Sequence, residues 1–118
     1  MQYAKLGNSD LTVSRICMGC MGFGDAGNGQ HSWTLDEPHS REIIQRGLEL
    51  GVNFFDTAIG YQSGTSEQYL GRALKDFAKR EDVVVATKFL PRTQEEIAAG
   101  VTGQRHIERM VNTSLKNL

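Results

Sequence analysis

Three short apolar runs, each succeeded by a segment with helical spacing, constrain the fold of this chain more than any other feature. The runs are RICMG (15–19), VNFFD (52–56) and VVVATK (83–88). The last is a continuous β-branched stretch, as expected of a strand buried on both faces of a parallel sheet. After the first run and a glycine-rich loop (19–29), a helix is predicted to start near Asp36, with Pro38 in its first turn. Ile43, Ile44, Gly47 and Leu48 line one face of it, and Gly51 is a natural C-terminal cap. A second helix begins near Thr65, where Thr65 and Gln68 have capping-box spacing, and buries Tyr69, Leu70, Ala73, Leu74 and Phe77. The third follows a long connection (91–103) with a helical turn at EEIAA, and shows Ile107, Met110, Val111, Leu115 and Leu118 at helical spacing.

Strand–helix units in alternation predict a parallel sheet with right-handed crossovers. Ahead of them, YAKL, a GNSD turn and LTVS read as a β-hairpin. The expected fold class is therefore α/β, a single domain made of a hairpin (2–14) and three βα units at about 15–50, 52–78 and 83–118. An open doubly wound sheet and part of a (β/α)8 barrel both satisfy this pattern. Either one places binding sites at the C-terminal ends of its strands.

Composition narrows the function classes. The 118 residues suffice for one domain with a real core. Thirteen basic residues against 14 acidic ones offer no basic stripe for a nucleic-acid backbone. No run approaches the ~18 apolar residues that span a bilayer, and MQYAKLGNSD has no apolar core of a signal peptide. Two cysteines do not make a secreted disulfide framework. A soluble, cytoplasmic protein with no nucleic-acid or membrane partner is expected.

Cys17 and Cys20, in CMGC, invite a redox or metal reading. Extended backbone would separate their Cα atoms by roughly 10 Å, whereas a disulfide needs about 4.4–6.8 Å. Neither a helix N-terminus nor a second ligand pair accompanies them, so buried thiols are expected. His31, His39 and His106 lack metal-ligand spacing; His39 and His106 read as solvated helix-terminal residues, and His31 as a loop residue. GCMGFG is not a dinucleotide fingerprint, because it lacks the Gly-x-Gly-x-x-Gly spacing that opens directly into a helix.

Asp56 and Lys88 stand at the ends of successive predicted strands, and Tyr61 follows Asp56 in a glycine-flanked loop. Taken singly, each has an ordinary structural explanation. Together they compose a chemistry. A tyrosine with a pKa of ~10 is a reluctant proton donor at neutral pH. A nearby ammonium favours the phenolate, and a carboxylate keeps that ammonium charged and oriented. Such a trio suits protonation of a carbonyl oxygen as it gains charge, with hydride supplied by a cofactor.

The segments LGNSDLTVSRICMGCMGFG, GVNFFDTAIGY, SEQYLGRAL and EDVVVATK resemble the aldo-keto reductases, specifically the bacterial subgroup that reduces aldehydes and ketones with NADPH. The resemblance covers nearly the whole chain, with motifs in family order. It implies the N-terminal part of a (β/α)8 TIM barrel, with NADP(H) as cofactor and a small-molecule carbonyl compound as substrate. Tyr61 would be the proton donor, Asp56 and Lys88 its tuning partners, and Cys20, Met21 and Asp56 would lie near the nicotinamide ribose. Trp33 falls in a loop where the family often has pocket aromatics. A full barrel takes ~250 residues, so three βα units are expected here, with the family's fourth active-site residue, a histidine, and its cofactor-phosphate site unmatched. An open barrel face predicts self-association of the folded chain. A non-catalytic truncated fragment or assembly module is the rival reading, and an open-sheet nucleotide or redox domain a distant third.

Overall fold

The computed structural model describes residues 1–118. Strands β1 (Tyr3–Lys5) and β2 (Thr12–Ser14) form the expected antiparallel hairpin, with Tyr3 opposite Ser14. It is fastened to the base of the next layer by Asn53. Its Oδ1 accepts from the Ser14 amide at 2.6 Å, and its Nδ2 donates to the Thr12 carbonyl at 3.1 Å.

Strands β3 (Met18–Gly19), β4 (Phe54–Asp56) and β5 (Val84–Ala86) make a parallel sheet in the order β3-β4-β5. Phe55 pairs with Met18 on one side and Val85 on the other; Asp56 pairs with Gly19 and Ala86. Side chains alternate between faces along a strand. The face bearing Phe55 packs against α1 (Glu37–Glu49) and α2 (Thr65–Phe77). There Phe55, Ile44, Leu70, Ala73 and Cys20 are fully buried, and Val52, Phe23, Leu74 and Val83 nearly so. Burying each large apolar side chain contributes about 1.5–3 kcal/mol. The opposite face, bearing Phe54, Asp56 and Val84, has no second layer.

That asymmetry corrects one expectation. VVVATK is not buried on both faces: Val84, Val85 and Ala86 are each half-buried, because β5 pairs only with β4 and one face of the sheet is open.

Helix α1 starts as expected. Asp36 is its N-cap and accepts from the His39 amide at 3.1 Å, Pro38 lies in the first turn, and Gly51 takes φ 95° just past the end. Ile44 and Gly47 are buried but Ile43 is exposed. Helix α2 buries Leu70, Ala73 and Leu74, with Tyr69 and Phe77 only half-buried. Its capping box does not form. Gly64 is the N-cap, and the Thr65 hydroxyl instead donates to the Gln62 carbonyl at 2.6 Å and accepts from the Asp25 amide at 2.9 Å. Thr65 is itself helical (φ −69°, ψ −27°) and so does not take the extended backbone of a cap.

The connection after β5 carries α3 (Gln94–Ala98), the helical turn expected at EEIAA. Helix α4 (Gly103–Asn117) brings the second correction. It turns His106 and Ser114 inward and leaves Ile107, Val111, Leu115 and Leu118 exposed. One residue is 100° around a helix, so the predicted apolar stripe is rotated by that step out of the core and lines an open groove beside α2 and β5. His106 is accordingly not solvated: it is 3% exposed.

Candidate active site

The three strand ends rise to one surface, held together by the first turn of α2. The Ser66 hydroxyl donates to the Cys20 carbonyl at 2.7 Å and lies 3.0 Å from the Thr57 hydroxyl. Glu67, fully buried, accepts from the Thr87 hydroxyl at 3.1 Å. Two adjacent residues thus fix the ends of β3, β4 and β5. Backbone pairing also continues past the regular strands, with the Thr57 amide on the Ala86 carbonyl at 2.9 Å and the Ile59 amide on the Lys88 carbonyl at 3.0 Å.

On this surface Lys88 Nζ donates to both oxygens of Asp56, at 2.9 and 2.8 Å. The same nitrogen lies 5.2 Å from the centroid of the Tyr61 ring. The structure therefore brings together the carboxylate, ammonium and phenol that the sequence singles out. Partial burial works against the Lys88 charge, but hydrogen bonding and attraction to Asp56, with a smaller push from Tyr61, outweigh it and hold its pKa above the ordinary lysine value. The site keeps a fixed positive charge beside a phenol.

Tyr61 opens a 3-10 turn, Tyr61–Gly64, with unusual backbone. Gln62 (φ 49°) and Ser63 (φ 54°) are left-handed without being glycine, and Gly64 continues at φ 89°. Such positions cost of order 1–3 kcal/mol each and persist only where the surroundings over-determine them. Here the buried Gln62 side chain does so. Its Nε2 donates to the Asp25 and His31 carbonyls, both at 2.7 Å, while its Oε1 accepts from the His31 amide at 2.9 Å. The glycine-rich loop closes over it: a Cβ on Gly24 or Gly29 would come within 2.6 Å of Gln62 atoms. The loop presents Trp33, exposed and stacked on His31 with ring centroids 4.6 Å apart.

Met21 is exposed at the mouth of the strand ends, but Cys20 is fully buried beneath it. The Cys20 amide donates to the Asp56 carbonyl at 2.8 Å, and its thiol lies 3.4 Å from the Met18 carbonyl. Burial, then the neighbouring Cys17 and Asp56 charges, push the Cys20 thiol up to about 12. Of the two free cysteines, Cys17 is exposed, not buried as expected; desolvation and Asp56 raise its pKa too.

Three residues that organise the site were not picked out from sequence: Gln62, Ser66 and Glu67. Glu67 left a signal, because it falls in helical register with Leu70 and Leu74, and a carboxylate on an apolar stripe needs a partner. Gln62 left none, since its partners are loop carbonyls.

A family model, the Aldo/keto reductase family, matches residues 15–118. The versiconal hemiacetal acetate reductase of Aspergillus parasiticus is 40% identical over 89 residues, which is 75% of this chain and 25% of that protein. A probable voltage-gated potassium channel subunit beta of Oryza sativa subsp. japonica is 36% identical across 100% of this chain and 34% of its own length. Among solved structures, the aldo-keto reductase AKR11C1 from Bacillus halodurans, in its holo form, superposes with a TM-score of 0.76 at 34% identity, covering 100% of this chain and 36% of that one. The chain belongs to the aldo/keto reductase family. It spans about a quarter to a third of the length of the curated relatives it matches, and its hairpin and three βα units are an incomplete (β/α)8 TIM barrel.

Proposed function

We propose that this chain carries the proton-transfer half of an NADPH-dependent carbonyl reductase, an activity of the complete barrel, acting on an aldehyde or ketone to give the alcohol. The observation that carries the reading is the Lys88 ammonium seated on both oxygens of Asp56 beside the Tyr61 ring. NADPH, when bound, supplies a hydride to the carbonyl carbon. Tyr61 donates its hydroxyl proton to the carbonyl oxygen as charge develops there. Lys88 stabilises the phenolate left on Tyr61, and Asp56 keeps Lys88 charged and aimed. The residues fit a nicotinamide ribose in a limited way: Met21 and the half-buried Asp56 carboxylate face the open strand-end surface, and Cys20 supports them from below by fixing the Asp56 backbone.

The test is a fluorescence titration of the chain with NADPH beside a size-exclusion trace. The chain by itself is expected to be inactive; saturable binding by an assembled species would mean that chains complete one another's site, and aldehyde-dependent NADPH oxidation is then assayed. In the complete barrel, Tyr61→Phe should lower kcat by about 10²–10⁴-fold and leave NADPH affinity nearly intact. Equal loss of both would remove the proton-donor role.

A second reading, an assembly module without catalysis of its own, is favoured by one specific observation. Between α2, β5 and α4 lies a groove of about 610 Å³, lined by Leu74, Val85, Phe89, Val111, Leu115 and Leu118 among others. Apolar surface of this kind beside an unpaired strand edge supports association with further chain. The absence of an NADPH response in every assembly state would select this reading for the chain by itself and leave the activity to the complete barrel.

A further inference from the structure

His106 stands outside the trio, yet it is the most enclosed of the three histidines and touches the loop that leaves the Lys88 strand end. We propose that His106 is a positioning residue, which holds the Phe89–Arg92 segment over the Tyr61 turn and by that route sets the geometry of Lys88 and Tyr61.

The linkage can be followed atom by atom. His106, in the first turns of α4, has Nε2 against the Leu90 carbonyl oxygen. A carbonyl oxygen only accepts, so Nε2 carries a proton in that contact. The other ring nitrogen lies 3.0 Å from a Glu96 oxygen on α3, and Arg109 binds the same oxygen at 2.7 Å and approaches Nδ1 at 3.3 Å. Arg109, itself held by Glu96, donates to the bare Nδ1 and so orients the ring with Nε2 at Leu90. The Phe89 ring stands edge-on to His106, with centroids 6.3 Å apart.

Leu90 transmits the contact. Its side chain lies on Gly60, where a Cβ would meet three Leu90 atoms at 3.2–3.4 Å, and Gly60 immediately precedes Tyr61. Two residues before Leu90, the Lys88 carbonyl accepts from Ile59. The strand-end turn 59–61 is therefore pinned between Lys88 and Leu90. Little else restrains the pinning segment. Phe89 and Leu90 are 53% and 52% exposed, and no amide of Phe89, Leu90 or Arg92 finds a backbone acceptor. Burial does not hold the segment; beyond the Lys88 carbonyl, the His106 bond and one from Arg92 to the Val101 carbonyl (2.7 Å) do.

Amide hydrogen exchange in the full chain tests this, with His106→Leu, which fills the space without a donor, against His106→Gln, whose amide nitrogen can still donate to Leu90. In His106→Leu, exchange at Ile59 and Tyr61 is expected to rise roughly tenfold while Phe55 and Leu70 stay protected, and His106→Gln should restore most of the difference. Equal exchange at Ile59 in all three chains overturns the proposal, as does a rise spread evenly to Phe55 and Leu70. Nitrogen-detected NMR of the unsubstituted chain provides a check independent of any variant: a proton located on Nδ1 alone, with none on Nε2, also overturns it. The inference rests on the roles proposed for Tyr61 and Lys88, but exchange is read without NADPH or an aldehyde, so the two can fail separately.

Discussion

Two histidines show how the same side chain is put to different uses by its surroundings. His106 is enclosed by α3, α4 and the loop after β5, whereas His39 is exposed on α1 and bonds Asp36 Oδ1 at 2.6 Å. The hydrogen bond to Asp36 and its charge raise the His39 pKa above the ordinary 6.5. In turn the His39 amide, then its ring, lower Asp36 below 3.8. The signs follow from linkage. A raised histidine contributes stability in full below 6.5 and loses it as pH rises through the folded value. A lowered aspartate contributes above 3.8 and loses it as pH falls through its folded value. The pair therefore helps most between those limits. Asp36→Asn keeps a good N-cap residue but removes the charge, so an NMR titration should show the His39 midpoint moving back toward 6.5. An unmoved midpoint would sink the pairing.

At the scale of elements, α2 is the keystone. Its first turn ties the three strand ends through Ser66 and Glu67, its middle fills the core with Leu70 and Leu74, and its exposed flank meets α1 through Arg72 and Glu37 at 2.6 Å. Exposed ion pairs of that sort are worth little, so packing holds α1 and α2 together. Helix α4 docks onto α2 at Gly71. A Cβ there would fall 2.6 Å from the Asn117 carbonyl oxygen and 2.8 Å from Leu118 backbone atoms. Gly→Ala inside a helix ordinarily gains about 0.5–1 kcal/mol, but overpacking against backbone costs about 1–3 kcal/mol. Gly71→Ala is thus expected to lower stability by about 1 kcal/mol in urea unfolding, with amide protection lost first in the last turn of α4. Unchanged stability would mean that the end of α4 moves aside freely.

The whole molecule is a slab, 48 × 38 × 20 Å, rather than a closed body. One face of the sheet is covered by helices; the other, bearing Asp56, is open, and Ile16 and Leu115 are 62% and 71% exposed. No helix is long and apolar enough to cross a membrane. Self-association is expected to appear as a concentration-dependent mass in light scattering. Leu115→Glu should shift it toward monomer, with stability changed by no more than about 0.5 kcal/mol because so exposed a residue supports no core. A wild-type chain that stays monomeric at high concentration would rule this out.

What can be read from residue spacing alone is local and periodic. The hairpin, the three parallel strands, the cap of α1 and the strand-end places of Asp56 and Lys88 all follow from spacing, because alternation and 3.6-residue recurrence report which face a residue takes within its own element. The tertiary structure decided what depends on neighbours. Which face of α4 turns inward is set by α2 and by the Glu96–His106–Leu90 contacts, not by the helix's own apolar stripe. How deeply Val84–Ala86 is buried depends on the pairing of β5 with β4 alone. The left-handed Gln62 exists because carbonyls of a loop some thirty residues earlier in the chain arrive to bond it. Periodicity encodes a preference for burial, but only assembled partners supply the surface and hydrogen bonds that satisfy it.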